Sequence, residues 1–280
     1  MSAIQNEEWT QVLEPTESAF RLNLRELWRY RDLIILFVKR DFVTVYKQTV
    51  LGPLWHIIQP LFTTAVYYMF GSIANLPSDG IPRVLFCLTG VVLWNYFSSC
   101  LTKTASTFVG NASIFGKVYF PRLAVPVSII ISNLMSFSIQ FLLLIPMLLL
   151  NHSAVHFNIY LLAVPFLIVL LAMLGLGFGL LVSSLTIKYR DLTYLVAFGV
   201  QLAVYATPII YPLSVLKGKA LMLASINPIS PIVELFRFSL FGKGTFTPAT
   251  ILYSVAFSFL ILFAGIIMFN RVERNFMDTV

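Results

Sequence analysis

Residues Val109 to Arg122 read VGNASIFGKVYFPR, in which Gly110, Gly116 and Lys117 approach the loop that cradles nucleotide phosphates. That loop needs four residues between its glycines, then Gly-Lys followed by a Ser or Thr that ligands magnesium. Here five residues separate Gly110 from Gly116, and Val118 follows Lys117, so the magnesium ligand is missing. In a second echo, Gly242-Lys243-Gly244-Thr245, a glycine splits the Lys from the Thr and no buried strand comes before. Neither is read as a phosphate loop. His152 and His156 stand four residues apart in a short loop, but two imidazoles without a nearby carboxylate or thiolate fall short of a metal site. His56, alone near the start of an apolar run, reads as a packing or interfacial residue. No paired carboxylates and no Ser, His and Asp in an activating context are found. The chain is therefore not expected to be an enzyme, and no metal or cofactor is expected on it.

The elements that carry these residues are set by composition. Of 280 residues, 58% are hydrophobic and only 11% charged, with a mean hydropathy of +0.86; soluble domains are about 25% charged. This is the composition of an integral membrane protein. Cys87 and Cys100 lie 13 residues apart in one apolar segment, roughly 20 Å along a helix, which is too far for a disulfide. No secretory signal is recognised in the polar first 50 residues.

About 20 apolar residues cross a bilayer core as a helix, and six stretches qualify: Leu54–Ile73, Val84–Leu101, Leu123–Leu150, Phe157–Ile187, Leu192–Leu213 and Ile251–Asn270. The third and fourth exceed the core and are expected to tilt or project. With the amino terminus in the cytoplasm, 14 of the 19 Lys and Arg residues fall on the cytoplasmic side, as the positive-inside rule requires. Both termini are thus expected inside. The net charge of +7 then reports topology and not nucleic-acid binding. Residues 1–19 form an acidic arm carrying Glu7, Glu8, Glu14 and Glu17. Within 20–52, Phe20, Leu24, Leu27 and Trp28 recur at helical spacing while Arg21, Arg25 and Arg29 take another face, which suits a helix on the membrane surface. Residues 53–280 hold the six-span domain.

Between Leu123 and Ile187 there is no Asp, Glu, Lys or Arg. Ion-coupled transporters place such groups at mid-membrane, so an ion-driven mechanism is disfavoured and any pumping energy must come from a partner. Other constellations fit passage of a large substrate. Tyr194, Phe198, Gln201 and Tyr205 follow one helical face of span five, and Trp55, Gln59, Phe62 and Val66 follow one of span one, with Tyr67 above. Aromatic rings with polar tips offer a surface for the apolar face of a sugar; packing and an interfacial belt are the plain alternative. Between spans five and six, LMLASINPISPIVELFRFSLF is apolar but broken by Pro228 and Pro231. It is expected to form two half-helices dipping in from outside, or a plain external hairpin. Phe115, Tyr119 and Phe120, closed by Pro121, are expected to insert into a groove on a soluble partner or to lie on lipid, with Lys117 and Arg122 as surface charges.

Several motifs, in order, resemble those of the membrane subunit of bacterial type-2 ABC exporters. They are RDFVTVYKQTVLGPLWHIIQP (Arg40 to Pro60), NASIFGKVYFPRLAVP (Asn111 to Pro126), YRDLTY (Tyr189 to Tyr194), ATPIIYPLSVL (Ala206 to Leu216), INPISPIVELFR (Ile226 to Arg237) and FNRVERNFMD (Phe269 to Asp278). The nearest subgroup exports polysaccharides such as O-antigen, capsule and teichoic acid. The resemblance covers nearly everything after the acidic arm, which is longer than it implies. It implies an all-α permease of the bacterial inner membrane that forms a homodimer above two copies of a separate ATPase, with ATP and Mg on that partner. It further implies a coupling helix spanning Asn111, Ile114, Phe115, Lys117, Tyr119, Phe120, Pro121 and Arg122, and a smaller ATPase contact at Lys188, Arg190 and Asp191. The interface helix would carry Arg21, Arg25, Trp28 and Arg29. The glycan path would be Trp55, Gln59, Phe62, Tyr67, Tyr194, Phe198, Gln201 and Tyr205. The outer gate would hold Tyr211, Pro212, Asn227, Pro228, Pro231, Glu234 and Arg237.

The function implied is ATP-driven export of a lipid-linked glycan, whose anionic pyrophosphate the basic interface helix would attract. The rival expectations are export of a drug, haem or lipid, or a non-transporting scaffold of surface polymer assembly.

Overall fold

A computed structural model describes residues 24–47, 51–115, 117–118, 120–152, 155–156, 158–189 and 191–277. Among the described residues the chain is helical and has no strand. A short helix α1 (Leu24–Arg29) leads into α2 (Arg31–Tyr46), then α3 (Trp55–Ile73) and α4 (Arg83–Ala105). Two four-residue helices, α5 (Thr107–Gly110) and α6 (Ala112–Phe115), form the turn to α7 (Ala124–Leu150). Next come α8 (Val164–Thr186), α9 (Leu192–Ala203), α10 (Gly218–Ile226), α11 (Ile229–Phe241) and α12 (Pro248–Met277).

Four stretches are long and apolar enough to span a bilayer: Arg83–Ala105, Ala124–Leu150, Ile159–Thr186 and Pro248–Val272. They coincide closely with expected spans two, three, four and six, and make this a multi-pass membrane protein. Expected span one is the 19-residue α3, which holds Pro60 in its interior. Expected span five is shorter than the sequence suggested. Its helix stops after 12 residues at Ala203; from Tyr205 to Thr207 each N–H bonds the carbonyl three residues back, and Pro208, which disfavours helical backbone at Thr207 and cannot donate, keeps the α-helix from resuming. The chain beyond runs as turns to Pro212. The apolar stretch broken by Pro228 is indeed two helices, α10 and α11, meeting at 91°. Gly242, with φ of 66°, ends α11 in the left-handed conformation, and its N–H bonds to the Phe238 carbonyl.

The middle of the molecule is α4, which packs against α3, α7, α8 and α11. Nearly every position from Leu85 to Phe97 is buried, so α4 has no wet face to give it a helical hydrophobic period. Backbones meet closely where α8 crosses α12: a methyl group on Gly265 would sit 2.5 Å from the Gly177 carbonyl oxygen. Only small residues allow such an approach between membrane helices.

One element was not foreseen. α2 runs for 16 residues through what the sequence presents as a charged connector, and it packs against α7. Its Ile34 and Phe37 are buried with Phe108, Phe115, Phe120 and Phe269 in a second core, separate from the one around α4.

Candidate functional site

The turn between α4 and α7 is built on aromatic rings. Phe108 of α5 stacks on Phe269 of α12 at 4.5 Å and meets Phe115 edge-on at 5.9 Å. Phe115 lies 5.7 Å from Phe120, which in turn lies 5.7 Å from Phe37 of α2. Asn111 joins α5 to α6, its side-chain amide donating to the Thr107 carbonyl at 3.0 Å. Arg122 is buried, with its guanidinium 5.5 Å from the Phe115 ring centre. Two expectations are corrected here. Phe115 and Phe120 do not project toward a partner, because they are held in the chain's own core, and Arg122 is no surface charge. What the turn offers outward is Ser113, Lys117 and Val118, with Ile114 and Pro121 half-buried. Tyr119 lies outside the described residues.

The smaller contact segment lies at the foot of α8. Lys188 Nζ stands 5.3 Å from the centre of the Tyr189 ring, and Asp191 is exposed at the start of α9. Arg190 lies outside the described residues. Of the interface helix, Arg21 is likewise outside them, and Arg25 is described only as backbone. Trp28 and Arg29 are exposed, and the Arg31 guanidinium lies 5.9 Å from the Trp28 ring centre.

Between α3, α4 and α9 opens a cleft of about 460 Å³. Tyr67, Phe198, Gln201 and Tyr205 line it, four of the eight residues expected on the glycan path. Thr63, Trp94, Asn95 and Ser98 complete much of the wall and were missed. Part of that signal was readable in the sequence, because Asn95, Ser98, Thr102 and Ser106 recur at three- and four-residue spacing along one side of the α4 segment. Asn95 donates to Gln140 of α7 at 3.4 Å. The other four expected residues do not line the cleft; among them Trp55, Phe62 and Tyr194 are exposed apolar side chains of α3 and α9.

Of the residues expected at an outer gate, Glu234 and Arg237 meet as a buried ion pair. Arg237 is 1% exposed, and its guanidinium lies 3.5 Å from the Phe86 ring centre. It donates to the Pro208 carbonyl at 2.6 Å, the Phe86 carbonyl at 3.0 Å and the Ile209 carbonyl at 3.1 Å. Glu234, one turn earlier on α11, pairs with it at 3.3 Å and also accepts from the Thr245 N–H at 2.8 Å. Two of those carbonyls belong to the turns beyond α9, so Arg237 satisfies backbone that no helix can serve. A charge buried this deeply needs such partners.

The bend between α10 and α11 is served in the same way. Asn227 donates to the Thr207 hydroxyl at 2.9 Å, Tyr253 of α12 to the Ile226 carbonyl at 2.7 Å, and Ser254 to the Pro228 carbonyl at 2.8 Å. Pro231 is buried in the first turn of α11, and Tyr211 donates its hydroxyl hydrogen to the Tyr205 carbonyl at 2.9 Å, with Pro212 buried beside it. Broken backbone at membrane depth is stable only when its carbonyls find protein partners like these. Among the described residues there is no group of three or more His, Cys, Asp or Glu side chains able to hold a metal. His156 is engaged through its backbone N–H, which donates to the Leu240 carbonyl at 3.0 Å.

Two O-antigen export system permease proteins RfbA from Klebsiella pneumoniae are 28% and 27% identical over 251 residues, covering 88% of this chain and 94% of theirs. A protein of the same name from Myxococcus xanthus is 26% identical over 261 residues, covering 92% of this chain and 98% of its own. The family profile described as ABC-2 type transporter matches residues 32–241, from α2 to the end of α11. The chain belongs to the ABC-2 type transporter family.

Proposed function

We propose that this protein is the permease subunit of an ATP-driven exporter that carries a lipid-linked surface polysaccharide out of the cytoplasm across the bacterial inner membrane. The observation that carries this reading is the cleft between α3, α4 and α9, where Tyr67, Trp94, Phe198 and Tyr205 stand beside Asn95, Ser98 and Gln201. Aromatic faces support a sugar's C–H groups while amides and hydroxyls meet its hydroxyls. A path for a drug or haem would be lined by apolar groups with fewer amides. The full-length likeness to O-antigen export permeases points the same way.

In this reading the permease is a homodimer with six spans per subunit and both termini in the cytoplasm. α3 and α9 count as the first and fifth spans, and their exposed faces meet the second copy across the glycan path. α10 and α11 re-enter from outside, with Arg237 fixing the break in the fifth span against α4. Two copies of a separate ATPase, which hold ATP and Mg, dock below. The α5–α6 turn receives their motion on Ser113, Lys117 and Val118, with Lys188 and Asp191 as a second contact. The aromatic core behind the turn transmits that motion as a rigid unit to α2, α7 and α12. α1 lies on the inner membrane surface, and the permease itself hydrolyses nothing.

The test is deletion of the gene in its host, followed by an assay of surface glycan and of lipid-linked glycan retained inside. Loss from the surface with accumulation inside is the expected result. Normal surface glycan, in a host with no second exporter, would overturn the proposal in favour of a drug, haem or lipid exporter. A purified cognate ATPase that neither binds nor gains activity would instead favour a scaffold.

A further inference from the structure

A second cleft, of about 510 Å³, opens where α2, α3, α4 and α7 meet beside the α5–α6 turn. Neither the coupling surface nor the aromatic cleft accounts for it. Its wall carries Arg40, His56 and Lys103 against one carboxylate, Asp41. Lys103 Nζ donates to Asn133 Oδ1 at 2.8 Å, so a buried amide fixes the ammonium in place. The neighbouring Ser132, which lines the cleft, has a buried Oγ with no hydrogen-bond partner among the described residues. Arg40 donates to Asp41 through Nε and Nη2 at 2.9 and 2.7 Å, which uses two of the five donors a guanidinium carries.

The wall thus offers two cations, Arg40 and Lys103, against one carboxylate, and one buried hydroxyl without a partner. Burying a donor without an acceptor is costly, so the ligand that suits this wall brings several acceptor oxygens and negative charge. A phosphate does both, and charge-assisted bonds to Lys and Arg are the strong ones. The wall also carries apolar groups, Phe42, Ile114, Val125 and Ile129, against which a hydrocarbon tail can pack. Along α4 to its C-cap, Ser98, Thr102 and Ser106 follow one another at four-residue spacing. They run from the aromatic cleft, which Ser98 lines, to this one, which Ser106 lines.

We propose that this cleft binds the phosphate of a lipid headgroup at the inner leaflet, with Lys103 and Arg40 as its cations, and that it is the entry station of the export path. The entry role rests on the glycan-export reading; the phosphate site itself does not. An ammonium held by Asn133 waits for the headgroup, Asp41 gives up part of Arg40 to it, and the hydroxyls of α4 lead on toward Asn95 and Gln201.

The test uses the purified full-length chain in a maltoside detergent, which brings no phosphate. Binding of farnesyl diphosphate, farnesol and dihexanoyl phosphatidylglycerol is read by tryptophan fluorescence. Farnesyl diphosphate is expected to bind at least about tenfold more tightly than farnesol, and Lys103→Gln and Arg40→Gln to remove about that factor. Lys103→Arg is expected to restore binding, and Lys219→Gln, at an exposed cation of α10 outside the cleft, to change nothing. Lys103-dependent preference for the diphosphate over phosphatidylglycerol assigns the site to the exported carrier lipid. Equal, Lys103-dependent binding of both assigns it to bilayer phospholipid, which keeps the phosphate site and removes the entry role.

Farnesol binding as well as the diphosphate, or wild-type affinity in both the Lys103→Gln and Arg40→Gln proteins, would overturn the proposal. Should Lys103→Gln not fold, Arg40→Gln carries the same comparison. Normal surface glycan after gene deletion, with diphosphate binding still dependent on Lys103, would sink the export reading and leave this site standing.

Discussion

The protein uses the same aromatic residues in two opposite ways. Around the α5–α6 turn, Phe37, Phe108, Phe115, Phe120 and Phe269 close on one another with centroid distances of 4.5 to 5.9 Å, and every one is buried. On α3 and α9, Phe62, Tyr194, Phe198 and Tyr205 are 61 to 81% exposed and border a cleft or open surface. The five rings of the closed set are all phenylalanine, and two cations lie over them, Arg122 over Phe115 and Arg40 over Phe37. The open set mixes rings with Gln201, Asn95 and Thr63. Rings without polar tips stabilise a joint; rings with polar neighbours offer a surface. On the proposed function, the company each ring keeps would separate a transmission part from a substrate surface, and aromatic content alone does not tell them apart.

The comparison breaks most readily at Phe108, at the centre of the closed set. Replacing it by Ala deletes a ring that contacts both Phe115 and Phe269, and the expected cost is about 3–5 kcal/mol. In a thermal melt of the detergent-purified protein, Phe108→Ala should unfold well below wild type, and export should fall in step with the amount of folded protein. A melt superimposable on wild type would mean that the closed set carries no load.

A finer probe asks whether the closed set acts as a unit. In a double-mutant cycle with Phe115→Leu and Phe120→Leu, the two losses should fail to add by about 0.5–1.5 kcal/mol, the worth of a ring pair beyond its buried area. Additive losses would show that each ring packs independently and that motion has no aromatic route through the turn.

The outward face of the same turn should behave differently. Lys117→Glu touches none of the closed rings and should leave the melt within about 0.5 kcal/mol of wild type. It should weaken docking of the cognate ATPase by roughly fivefold, or about 1 kcal/mol, read as a higher concentration needed for stimulated ATP hydrolysis. Undiminished stimulation would move the ATPase contact elsewhere, to Lys188 and Asp191 first.

How much of this was legible in the sequence follows from how local each signal is. Four spans show as apolar runs whose ends are fixed by charge or proline; α7 begins and ends within one residue of expectation, whereas α8 starts only at Val164, behind the tighter helical turn Ile159–Ala163. The bend at Asn227-Pro228 was readable because proline acts on its own neighbours. The same signal at Pro208 was present, yet the apolar character of ATPIIYP hid it, and the fifth helix was read as too long. α2 was missed because Arg31, Lys39 and Arg40 interrupt its apolar face, which becomes recognisable only against α7. Phe115 and Phe120 were placed outward and Arg122 on the surface because a short segment with mixed rings and cations looks alike in either orientation. Burial of Arg237 is still less local: its partners lie at Phe86, Pro208 and Ile209, far away in the chain.

The smallest expected effect on stability, and the sharpest on function, lies at Phe198. Its ring is 61% exposed on α9 and lines the aromatic cleft, so Phe198→Ala removes little buried area. The melt should stay within about 0.5 kcal/mol of wild type, whereas Phe108→Ala loses several. If the ring supports a sugar face, the alanine protein should export glycan more slowly at normal abundance, and Phe198→Tyr, which keeps the face, should export normally. If the ring only packs against a second copy, both variants should export alike and the alanine form should instead lose the dimer, seen by size-exclusion chromatography. The two outcomes separate because a sugar reads the ring's face, while a protein interface also reads its volume and the water it excludes. A slow alanine variant that is still dimeric, beside a normal tyrosine variant, would establish α9 as a substrate surface and place the two aromatic sets at opposite ends of one machine.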